Sequence, residues 1–206
     1  NTIVFAYIQG STAVYVGGST STIIAGSVLV ATNTAGTALA VMEGSVNLTI
    51  TSSTLSAPSL GRGVSLDLDN SGVVTVGSVT ISGAARGMQF AAQAANFSLS
   101  VDSITFRMLA SGSTAVHFLG GTFVSTFNLA NFEDASILVN VSGAALSLAS
   151  RVTMNAHYGA RTNPNYENDP NNLVDWQGFE PYAGCVVTRN VGAGKPYTTI
   201  QAGVNA

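Results

Sequence analysis

VNLTITSSTLS (residues 46–56) and GVVTVGSVTIS (72–82) carry the pattern that decides the fold: two short runs of alternating apolar and small polar residues, separated by a break. The unit returns as NFSLSVDSITF (96–106), TFVSTFNLANF (122–132) and AALSLASRVTM (144–154). Between successive units lies a third run: TALAVME (37–43), VSLDLDN (64–70), MQFAAQ (88–93), TAVHFLG (114–120) and ILVNVSG (137–143). Period-two alternation marks strands that bury one face. Three such strands per unit, repeated, make a β-solenoid. Residues 1–36 read as earlier turns, with TAVYVGG (12–18) matching TALAVME. Third runs beginning at Thr12, Thr37, Gly63, Gly87, Thr114 and Ser136 give steps of 25, 26, 24, 27 and 22 residues.

Alternation sorts the side chains into three expected inward columns. One is Val16, Val41, Leu68, Phe118 and Val141; the second is Leu48, Val74, Phe97, Phe123 and Leu146. The third is Leu55, Val79, Ile104, Phe127 and Val152. Stacking like on like buries each turn against the next at about 4.8 Å. The rival architecture for short strands with turn signals is a β-sandwich, which gives no reason for matched columns.

Composition narrows the function classes. Hydrophobic residues make up 46% of the 206 and charged residues 8%, about a third of the usual charged share. A formal net charge of −3 and a single lysine, Lys195, give no footprint for nucleic acid. Cys185 stands alone, so no intrachain disulfide forms. No apolar run reaches the length of a membrane span. A surface this poor in charge lacks the usual protection against self-association, which suits a protein whose neighbours are always present or one outside the cell. Asn1 opens NTIVFAYIQG, which reads as strand rather than as a leader, as expected of a processed product or an excerpt of a longer chain.

From residue 156 the pattern breaks. Residues 156–186 gather three of the five prolines, the only tryptophan and a cluster of acids, and read as an irregular segment. Beyond it, 187–206 reads as a strand, a turn and a short helix capped by Thr198 or Thr199, with Ile200 and Val204 on one face.

GAGKPYTTIQAGVNA (192–206) resembles the opening segment of right-handed parallel β-helix proteins of the pectin-lyase-like superfamily. There such a segment precedes the first turn, and its helix covers the open N-terminal end. The resemblance implies the fold and a capping helix. Many members cleave or de-esterify acidic polysaccharides, so the resemblance also raises an enzyme, but none of the motifs of the catalytic pectin-degrading families is present. Here the segment follows the solenoid instead of opening it. The helix then begins the next module of a tandem protein, caps a neighbouring copy, or folds back on its own chain.

Local chemistry is sparse. Asp67 and Asp69 read as two outward carboxylates about 7 Å apart along a strand, with no base or third acid to join them. His117 reads as a lone outward residue beside Asn140. His157 lies in sequence near Glu167, Asp169, Asp175 and Glu180, without the spacing of a calcium loop. Arg86, Arg107 and Arg151 fall near corners, as residues that hold turns. GAGK lacks the spacing of a phosphate loop. Three sequons begin at Asn47, Asn96 and Asn140.

The expectation is an all-β chain: a right-handed parallel β-helix over 1–155, an irregular segment over 156–186, and a strand plus capping helix over 187–206. Its expected function is structural and non-catalytic, in an extracellular or cell-surface module stacking head to tail with other copies or adjacent modules into a fibre, sheath or stalk. Trp176, Tyr182, Tyr197, Thr199, Ile200 and Val204 are the expected assembly residues. No catalytic residue, metal or cofactor is expected. The alternative is a glycan-binding module of the adhesin or phage-tailspike kind, and after it a polysaccharide lyase or esterase.

Overall fold

A computed structural model describes residues 1–42, 44–107, 110–133, 135–143, 145–158 and 167–180. The chain winds as a right-handed parallel β-solenoid, three short strands to a coil. The first coil is β1 (Thr2–Val4), β2 (Tyr7–Gly10) and β3 (Thr12–Val16). The second is β4 (Thr22–Ala25), β5 (Val28–Ala31) and β6 (Thr37–Val41), and the third β7 (Val46–Thr51), β8 (Thr54–Ser56) and β9 (Arg62–Leu66). The fourth is β10 (Ser71–Gly77), β11 (Val79–Ser82) and β12 (Arg86–Phe90); the fifth β13 (Ser98–Val101), β14 (Ile104–Arg107) and β15 (Thr114–Phe118). The sixth is β16 (Val124–Phe127), β17 (Ala130–Phe132) and β18 (Ile137–Asn140). Then come β19 (Arg151–Tyr158), β20 (Glu167–Asn168) and β21 (Val174–Glu180).

Every strand pair is parallel, which excludes the sandwich. The first face runs β1-β4-β7-β10-β13-β16-β19 and the second β2-β5-β8-β11-β14-β17, joined where β19 also meets β17. The third face runs β3-β6-β9-β12-β15-β18-β20. Within the segment expected to be irregular, β20 pairs with β18 and β21 with β19, so the solenoid's pairing extends to Glu180. No helix occurs among the described residues, and the expected capping helix at 199–204 lies outside them.

The columns form, but two residues out of the expected register in places. On the third face Val41 pairs with Leu66, then Phe90 and Phe118 follow. Leu68 is not in that column: β9 ends at Leu66, the chain turns with Asp69 at φ 59°, and Leu68 swings out to 53% exposure. On the first face Leu48 and Val74 continue to Leu99 and Ser125, not to Phe97 and Phe123. Leu55 pairs with Ile81 rather than Val79, and Phe106 and Phe132 extend that column. Phe127 belongs to the first face, where Ile50, Val76, Val101, Phe127 and Met154 stack. The core is thus aliphatic in the first three coils and aromatic in the next three. Phe90, Phe106, Phe118 and Phe127 are fully buried.

The corner between the first and second faces is built from left-handed residues. Phe5, Gly26, Ser52 and Ser78 take φ of 49°, 58°, 48° and 54° in successive coils. Just past this corner, Ser27 and Ser53 form a buried ladder. Ser53 Oγ accepts the Ser27 N–H at 3.1 Å, and Ser27 Oγ accepts the Ala6 N–H at 3.2 Å. Each hydroxyl also donates to a carbonyl two residues back, Ala25 or Thr51, so these sharp bends leave no orphaned hydroxyl.

Candidate functional site

The first coil presents the most conspicuous surface. β1, β2 and β3 each stand last in the order of their face, and among the described residues nothing pairs with their outer edges. Around that edge Phe5 is 88% exposed, Tyr7 67%, Tyr15 65% and Val4 49%. The Phe5 ring lies over Gly26, where a Cβ would sit 2.7 Å from two ring atoms, so glycine is required there. Exposed apolar residues recur singly further along, at Leu60, Leu68, Val73, Leu119, Val124 and Leu148, but two outward rows turn polar after the second coil. On the second face, Tyr7 and Val28 give way in register to Thr54, Thr80 and Thr105. On the first, Ile23 gives way to Thr49, Thr75, Ser100, Thr126 and Thr153. Residues 1–42 contain no Asp, Glu, Lys or Arg, so this apolar collar carries no charged side chain.

Toward the other end, Trp176 on β21 is the register partner of Met154. Its ring stands edge-on to His157 at 4.6 Å and to Phe132 at 6.4 Å, and its Nε1–H donates to Glu167 Oε2. This half-buried tryptophan continues the core past the sixth coil. The other expected assembly residues, Tyr182, Tyr197, Thr199, Ile200 and Val204, lie outside the described residues.

The side chains weighed for chemistry are not brought together. Asp67 follows the last residue of β9 and Asp69 sits in the turn beyond, so the two are not neighbours along one strand. The backbone carbonyl of Asp67 accepts from Asn70 Nδ2 at 2.9 Å and from Gln93 Nε2 at 2.7 Å, which fixes the turn. His157 is buried on β19 rather than in a loop. Asp169 Oδ2 accepts the Val174 N–H at 2.7 Å, and Asp175 Oδ2 accepts from Gln177 at 2.6 Å. Among the described residues no three His, Cys, Asp or Glu side chains gather as a metal site.

His117 is half-buried in an outward row between Gln89 and Asn140. Burial, and then the Arg86 guanidinium, hold its pKa below the ordinary histidine value. Arg86 and Arg151 do hold turns, through Nη1 donors to the carbonyls of Ala85 at 2.9 Å and Ser150 at 2.7 Å. Arg107 instead forms a two-point ion pair with Glu133, its Nη2 lying 2.8 Å from Oε1. That hydrogen bond is the main cause holding the Glu133 carboxyl below its usual range. Of the three sequon asparagines, Asn47 Oδ1 accepts the Val73 N–H at 3.0 Å and Asn140 Oδ1 accepts the Ser142 N–H at 3.0 Å. Asn96 sits exposed in a turn.

Sequence patterning found the faces and the columns. It missed the collar's exposure and the register that brings Arg62 opposite Arg86. The absence of charge before Glu43 was the available signal for the first, and nothing short of exact register gives the second. No helix among the described residues is long and apolar enough to cross a membrane. Compared with family models, with curated proteins and with solved structures, the chain finds no match, so its role has to be argued from its own edge, faces and side chains.

Proposed function

We propose that the chain is a structural, non-catalytic module that stacks end to end into a fibre, sheath or stalk outside the cell or on its surface. The observation that carries this reading is the first coil: three strand edges, one per face, with no partner among the described residues, ringed by exposed Val4, Phe5, Tyr7 and Tyr15. Unpaired edges are templates for further strands. What fits them is another coil of matching spacing, from the same polypeptide or from another copy. A contact of this head-to-tail kind does not close, so it propagates. The absence of charged side chains from the collar supports the same reading, because a neighbour seated there desolvates no ionised side chain.

The test is electron microscopy of the assembled material, which is expected to show fibres with an axial repeat of roughly 30 Å, the height of about six coils. Removing residues 187–206 is expected to abolish assembly while circular dichroism shows the β-solenoid intact. Assembly by that truncated chain would refute the role of 187–206. Undiminished assembly by Phe5→Lys/Tyr7→Lys would refute the stacking reading itself. A second reading, weak binding of neutral glycans, rests on the outward hydroxyl row of Thr49, Thr75, Ser100, Thr126 and Thr153. It predicts retention on a polysaccharide array that Thr75→Val and Thr126→Val abolish.

A further inference from the structure

The chain has seven lysines and arginines in 206 residues, yet two of them, Arg62 on β9 and Arg86 on β12, are direct register partners on the third face. Adjacent parallel strands lie about 4.8 Å apart, so two arginines leave the backbone at the same position of consecutive coils. Both side chains are half-buried. Like charges directly opposite across a sheet destabilise it, and a cross-strand acid would be the ordinary remedy. Among the described residues none pairs with them: the ion pair there belongs to Arg107 and Glu133. Among the described residues the Arg62 guanidinium has no hydrogen bond or ion pair, and the Arg86 guanidinium donates only through Nη1, to the Ala85 carbonyl. The flanking positions in the column are the buried hydroxyl residues Thr37 and Thr114. Three residues further along β15 from Thr114, His117 Nδ1 is buried without a hydrogen-bond partner.

We propose that Arg62 and Arg86 form an oxyanion site, taking one sulfate or phosphate group, free or carried on a larger molecule, between the third and fourth coils. Two guanidinium forks provide up to ten N–H donors, of which one is used, and their planar geometry suits bidentate contact with such oxygens. The bound charge converts a repulsive pair into a clamp across two coils. It also neutralises the guanidinium that, with burial, holds His117 below its ordinary pKa, so occupancy raises the pKa of His117.

The experiment uses the whole chain at constant ionic strength, replacing chloride with inorganic sulfate and following the melting temperature and the His117 imidazole resonances. The expected result is a saturable rise in melting temperature together with an upward shift of the His117 titration. Both responses should weaken at least tenfold in concentration in Arg62→Gln and in Arg86→Gln. Without sulfate at low salt, Arg62→Gln is expected to be as stable as the parent or more so, since it removes the repulsion. A parallel arm with glucose 6-sulfate separates the sources: saturation at tenfold lower concentration assigns a carried group, and equal concentrations assign the free ion. A sulfate response that never saturates, or that both variants retain undiminished from the parent, is the general effect of an excluded salt and overturns the site.

Discussion

Phe90 and Phe118 lie face to face across consecutive coils, ring centroids 5.0 Å apart and planes 15° from parallel, both fully buried. Phe123 closes on them from the side, at 5.9 Å from Phe90 and 4.7 Å from Phe118. Phe118→Ala would remove a ring from the middle of this cluster. The expected cost is about 3–5 kcal/mol by denaturant unfolding. Phe5→Ala, which alters a ring 88% exposed, is expected to stay within about 0.5 kcal/mol. Equal effects would mean that the cluster is not the core of the fourth and fifth coils.

Ser78 holds φ 54° at the corner between two faces, a conformation that costs a non-glycine residue about 1–2 kcal/mol. Glycine removes that strain but gives up unfolded-chain entropy worth about 0.5–1 kcal/mol. Ser78→Gly is therefore expected to stabilise the solenoid by up to about 1 kcal/mol. Ser78→Val should destabilise it, because a β-branched residue resists the left-handed region. A fall in melting temperature for the glycine variant would contradict the corner geometry.

His117 makes the fold sensitive to mild acid. Its pKa is lowered in the folded chain, by burial first and Arg86 second, while the unfolded chain titrates near the reference value of about 6.5. The unfolded state therefore takes up the proton first. Stability is fully present above the unfolded value, falls as pH drops from neutrality through the folded value, and levels off below it. His117→Gln, which places an amide between Gln89 and Asn140, is expected to remove that step. The difference between the two pH profiles isolates it from every other group.

Glu133 titrates in the opposite part of the scale. Its carboxyl pKa is lowered chiefly by the hydrogen bond from Arg107, so its contribution is present above the ordinary carboxylate value and lost as pH falls below it. The Arg107 side chain is 53% exposed, so Glu133→Gln should cost less than about 1 kcal/mol. High salt should shrink that difference.

Much of the architecture was legible because the solenoid writes its period into the chain. Thr12, Thr37 and Thr114 do occupy one column, and the two predicted strands of the units at 46–56, 72–82, 96–106 and 122–132 fall on the first and second faces. In the unit at 144–154 only the second run is a strand, on the first face. The errors came from reading alternation through a bend. SLDLDN alternates without interruption, but β9 stops at Leu66, so Leu68 took a place that belongs to Leu66. In NFSLSV the aromatic ring of Phe97 looked like the core residue, whereas Leu99 holds the column and Phe97 packs edge-on against Phe123 at 6.0 Å. Hydropathy cannot tell which residue of an alternating run starts the strand. The hydrogen-bond register decides it, and the same register sets Arg62 against Arg86. Trp176 was expected as an assembly residue; in the structure its ring packs against His157 and Phe132 of its own chain.

Because each coil is bonded only to the coil before and after it, the molecule behaves under load like a wound thread. Thr54, Thr80 and Thr105 are successive partners, 26 and 25 residues apart. Force applied along the chain from one terminus acts on a single rung of three short parallel ladders at a time. Extension should therefore proceed in steps, each releasing one coil and about 90 Å of slack. The aliphatic coils near Asn1 should yield at lower force than those closed by Phe90, Phe118 and Phe123. Were such modules stacked as proposed, a stalk of them would lengthen under tension by paying out thread from its softer end, and would rewind on the coil that remains.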